Sequence, residues 1–167
     1  MKHLLKAAFI LGFIISIAAT APNSMRADFN GSWQIDTSKS DFGELPIERA
    51  AAIKFILIQS KTDVAFDRTF HNLPVGSKET LKLDGTEFEN KQSDHTVKRT
   101  LQLSEDKLTL TVNSKYHMTP EEQEPWDYTR AETYALAKDG KSILLTRISV
   151  TPGGTETVKA FYNRVFN

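Results

Sequence analysis

The stretch DFNGSWQIDTSKSDFGELP, residues 28–46, decides the fold. Gly31 and Trp33 open an alternating segment that runs to Asp36. Residues two apart share one face of a strand, so Gly31 leaves space beside the indole of Trp33. A tryptophan so placed buries a large apolar body and requires a partner for its N–H. Both demands are met if the segment is the first strand of a small antiparallel barrel, with Trp33 plugging one end. Beyond Asp36 the chain is polar and carries Phe42-Gly43 and Leu45-Pro46. The first strand is therefore predicted to stop at Asp36, with a loop to Pro46.

Upstream, residues 1–27 have the form of a secretory signal. Lys2 and Lys6 precede the uncharged run Ala7 to Ala19, and Ala19-Thr20-Ala21 has the small-x-small pattern of a cleavage site. Pro22 disfavours a cut directly before it, which leaves cleavage after Ala27 open as well. The run is shorter than the ~20 apolar residues of a spanning helix. Residues 28–167 are then one domain, exported to the periplasm or secreted, with no integral membrane span after signal removal. The chain balances 21 basic against 21 acidic residues, and loss of Lys2, Lys6 and Arg26 leaves 18 against 21. A weakly acidic chain is a poor partner for nucleic acid, whose binding is driven by phosphate neutralisation. There is no cysteine, so the domain depends on its hydrophobic core.

After the loop, β-branched and aromatic residues alternate with polar ones, and clusters of Gly, Asp, Asn and Pro break the pattern. Residues 48–54 suit a helical turn or a strand start. Residues 53–59 are nearly all apolar, which predicts a strand covered on both faces. Further strands are expected at 63–70, 77–83, 86–90, 96–103, 107–114, 128–136, 142–150 and 155–166. Asp84-Gly85 and Asp139-Gly140 are hairpin turns, and residues 118–125 form an acidic loop. Strands in sequence, joined by short turns, favour an up-and-down meander. Closure removes its edges, as suits a monomer. The expected fold is all-β: an antiparallel up-and-down barrel of eight to ten strands, preceded by a signal peptide.

Phe29, Gly31 and Trp33 resemble the Phe-x-Gly-x-Trp first strand of the lipocalin and fatty-acid-binding superfamily. Lys39-Ser40-Asp41-Phe42-Gly43, Asp139-Gly140-Lys141 and Tyr162-Asn163-Arg164 resemble motifs of a bacterial, exported, lipocalin-like (calycin-type) family largely without assigned function. The resemblance implies a lipocalin-like barrel closed by Gly31, Trp33 and Arg164. Arg164 would lie over Trp33 in a cation–π contact of about 0.5–2 kcal/mol. Fatty-acid-binding relatives hold a carboxylate through Arg-x-Tyr on the last strand. Here the order is reversed, Tyr162-x-Arg164, so that anchor does not transfer directly.

The chemistry lies in arginines on apolar phases. Arg68 shares a face with Val64, Phe66 and Phe70; Arg99 with Val97, Leu101 and Leu103; Arg130 with Trp126, Tyr128, Glu132, Tyr134 and Leu136. Inward arginines are costly unless paired, and Glu132 could neutralise one. Those left unpaired would bind a carboxylate or phosphate. The bland alternative has their heads reaching solvent at the rims. His71, His95 and His117 match no metal-ligand spacing, so no metal and no cofactor are expected. Three functions remain. The favoured one is a binding module for a small hydrophobic or amphipathic molecule, an acidic one if the arginines are left unpaired. Phe55, Phe66, Leu101, Leu110 and Tyr134 would form its walls, and Arg68, Arg99, Arg130 and Tyr162 its anchors. The second is a small isomerase or hydrolase using His71, His95 or Glu132. The third is a cavity-free interaction module.

Overall fold

The alternating pattern resolves into ten strands in a computed structural model that describes residues 28–71 and 76–166. The strands are β1 (Gly31–Asp41), β2 (Lys54–Gln59), β3 (Asp63–Thr69), β4 (Ser77–Lys82), β5 (Phe88–Lys91), β6 (His95–Leu103), β7 (Thr109–Met118), β8 (Trp126–Leu136), β9 (Ser142–Thr151) and β10 (Gly154–Val165). A single helical turn, α1 (Ile47–Ala50), joins β1 to β2. Every sequence neighbour pairs antiparallel except β4 with β5, and β1 also pairs with β10. The chain is therefore an up-and-down, nearly closed barrel with one seam, between β4 and β5. Across it, β4 and β6 are linked by side chains. The signal-peptide reading falls on residues 1–27, outside the described part. Among the described residues, no helix is long and apolar enough to cross a membrane.

One face of each strand supplies the core. Trp33, Phe55, Leu57, Val64, Phe66, Leu81, Leu101, Leu110, Tyr134, Ile143 and Tyr162 are buried in one cluster. At its lower end Trp33 is fully enclosed and its Nε1–H donates to the Phe29 carbonyl at 3.1 Å. The Arg164 guanidinium lies 4.6 Å from the centre of the indole ring and donates to the Asp28 carbonyl. Gly31 has φ +138°, a conformation L side chains rarely adopt, and Arg164 packs against its bare Cα.

Three expectations need correction. β1 does not stop at Asp36 but runs to Asp41, with a register shift against β10 between those residues. The polar Ser40 sustains the extension: its hydroxyl donates to the Asp36 carbonyl and accepts from the Phe161 amide. β2 is covered on one face only. Phe55 and Leu57 point into the core, whereas Ile56 and Ile58 are 38% and 64% exposed. The apolar run was longer than the buried face required. β8 also begins earlier than expected, at Trp126.

Candidate functional site at the arginine end

The strands carry polar residues inward at the end opposite Trp33. Arg68 follows Val64 and Phe66 on β3, and Glu79 precedes Leu81 on β4. Arg99 lies between Val97 and Leu101 on β6. Arg68 Nη1 donates to Glu79 Oε1, Arg68 Nη2 donates to the Tyr134 hydroxyl at 3.2 Å, and Glu132 Oε2 is 4.0 Å away. Arg99 Nη1 sits 3.0 Å from the other Glu79 oxygen, and its Nη2 donates to the Tyr116 hydroxyl at 3.0 Å. One carboxylate thus holds two guanidiniums. Burial works against the charge of Arg68, but Tyr134, Glu132 and Glu79 outweigh it, so its pKa rises. Burial also raises the Tyr134 and Tyr162 hydroxyls well above the ordinary tyrosine range.

Arg130 and Arg147 are different. Arg130 Nε donates to Ser149 Oγ at 3.3 Å, and the guanidinium lies 5.4 and 5.7 Å from the ring centres of Tyr116 and Tyr128. Among the described residues Arg147, 7% exposed, donates only to the Arg49 carbonyl, at 3.4 Å from both terminal nitrogens. Among the described residues neither makes an ion pair. Burial, then the charge of Arg130, lowers the pKa of Arg147. Ser114 lies between Arg99 and Arg130 across the ladder, and its buried hydroxyl has no partner among the described residues. Above this level a cavity of about 560 Å³ opens, lined by Arg49, Trp126, Tyr128, Arg130, Ser149 and Glu156 among others. That volume lies within the range of small-molecule sites, about 300–1,000 Å³.

The residues singled out from sequence therefore separate. Arg68 and Arg99 point inward but are paired through Glu79. Arg130 is inward and faces the cavity. Phe66, Tyr134 and Tyr162 lie deeper, in the packed cluster; the Tyr162 hydroxyl donates to the Ala52 carbonyl at 2.8 Å. Gly31, Trp33 and Arg164 sit together at the closed end. His117 bonds Asp127 at the exposed surface, and His95 bonds Asp94. Among the described residues no group of His, Asp or Glu could hold a metal ion. Arg147 and Glu79 were missed. Both lie in phase with buried apolar residues, as the other arginines do.

No family model matches this chain, and no curated protein matches it. Among solved structures it is similar to zebrafish ileal bile acid-binding protein complexed with cholic acid, with a TM-score of 0.54 and 14% identity. The match covers 82% of this chain and 98% of that one. At that identity the likeness defines the class of fold: a calycin-like, ten-stranded β-barrel.

Proposed function

We propose that this barrel binds a small amphipathic acid at its arginine end and that the protein is exported. One observation carries the binding proposal. The upper barrel holds four inward guanidiniums, Arg68, Arg99, Arg130 and Arg147, against the carboxylates Glu79 and Glu132 within it and Glu156 at the rim of the cavity. Two of the guanidiniums lack an acidic partner among the described residues, and one of these lines the cavity. A carboxylate there would satisfy Arg130 and relieve its repulsion of Arg147. Arg68, Glu79 and Arg99 then frame the site rather than capture the anion. The apolar part of the ligand would rest on Met118, Trp126 and Pro152. The structural neighbour's bound cholic acid is in keeping with a small amphipathic acid as ligand.

The test is displacement of an anionic fluorescent probe by acids and by alcohols of matched skeleton. Acids are expected to compete and alcohols to compete weakly. Arg130→Gln is expected to weaken acid binding by about tenfold to a hundredfold, the value of a hydrogen bond to a charged group. Equal competition by acid and alcohol, or no effect of Arg130→Gln, would overturn the proposal.

A further inference from the structure

We infer that the mouth cavity selects a flat, ring-bearing carboxylate, stacked on Trp126 and Tyr128 with its acid on Arg130, over a long-chain acid; this rests on the anionic-ligand proposal above. The first support is what lies beneath the arginines. Phe55 is 4.5 Å from Tyr162 and 5.8 Å from Tyr134, centre to centre, and Phe66 is 5.5 Å from Tyr134. All four rings are at most 2% exposed. The lumen that would house a flexible alkyl tail is filled by the protein's own side chains, packed as a core is packed.

The second support is an aromatic ladder at the mouth. Tyr116 and Tyr128 stack at 4.2 Å with planes 5° apart. Trp126 continues from Tyr128 at 5.5 Å and 30°. These rings lie on the inner face because Tyr116 and Tyr128 are partners across β7 and β8, and Trp126 is two residues from Tyr128. Tyr116 is enclosed, whereas Tyr128 and Trp126 are half-buried and line the cavity. Arg130 lies over the same ladder, so a charge and a flat apolar wall adjoin. A planar ring gains from stacking on such a wall beyond its buried area, and a saturated chain does not.

The experiment titrates the purified protein by calorimetry with 2-naphthoate and with undecanoate, acids of equal carbon count. Naphthoate is expected to bind about tenfold more tightly. Trp126→Leu is expected to weaken naphthoate by about tenfold and undecanoate by clearly less, since leucine still offers a chain an apolar surface but no ring to stack on. Should that variant fail to fold, calorimetry of the unaltered protein with decahydro-2-naphthoate, the saturated form of the same ring pair, tests the same contact: it should bind about tenfold more weakly than naphthoate, and equal affinity overturns the inference. Undecanoate binding as tightly as naphthoate, or Trp126→Leu weakening both alike, overturns the inference but leaves the anionic-ligand proposal standing. If neither acid binds, both fall.

Discussion

Asp36 stands where β1 changes register against β10, and three side chains converge on its carboxylate. Ser38 donates at 2.6 Å, Lys39 lies at 3.0 Å and Asn163 donates at 3.2 Å. The Ser38 hydroxyl first, then Lys39, lowers its pKa from 3.8 to about 2. A folded pKa below the unfolded one means that the folded state is favoured by the ionised form. The contribution is present above about pH 4 and is lost as pH falls towards 2. Asp36→Asn is therefore expected to flatten the acid limb of the stability curve in that window, measured by urea unfolding at several pH values. The change should be modest because the group still borders solvent, which screens it. The arginines show what single residues reveal in a sequence. Arg68, Arg99 and Arg130 stood out because each broke a run of apolar residues on one face. Arg147 was hidden because β9 is apolar on both faces: Ile143 and Leu145 point in, while Leu144, Ile148 and Val150 point out and are partly exposed. Where both phases read alike, a charge has no face to violate.

Among the elements, the weak joint is the seam between β4 and β5. Their backbone groups do not pair with each other, and Glu79 on β4 reaches Arg99 on β6 while also holding Arg68 on β3. Glu79→Ala would leave Arg68 enclosed without its main partner, at a cost of about 3–5 kcal/mol. Denaturant unfolding should show that loss, and a drop below about 1 kcal/mol would mean the ion pairs are solvent-screened and idle. Combining Glu79→Leu with Arg68→Met should recover only the share due to Arg68, since Arg99 still loses Glu79 and Glu132 loses the Arg68 guanidinium. The seam itself was not legible, because β4 is short and polar, and only Leu81 marks its inner face. The length of β1 was likewise obscured. Its extension depends on the Ser40 hydroxyl bonding to a residue 121 positions away, and local turn propensity points the other way.

At the scale of the molecule, strands from opposite ends of the chain pair, Ser32 with Val165 and Ile35 with Tyr162, which closes the barrel everywhere but at the β4–β5 seam. That closure was foreseeable from Gly31, Trp33 and the succession of short strands. The filling of the lumen was not, because periodicity assigns a side chain to a face but not the depth to which it reaches. Which compartment the barrel occupies follows from residues 1–27. If they are a secretory signal, protein recovered from the periplasm or medium of its host should begin between Pro22 and Asp28 by N-terminal sequencing. Recovery only from the cytoplasm, with Met1 in place, would overturn the export proposal.

The chain's two tryptophans occupy the two ends of the barrel, one sealed beneath Arg164 and the other at the rim of the cavity. Their emission should differ in colour: blue for the sealed indole, red for the rim. Iodide should quench the second and spare the first. A single spectrum of the unlabelled protein would then report independently on whether the barrel is shut and whether its mouth is filled.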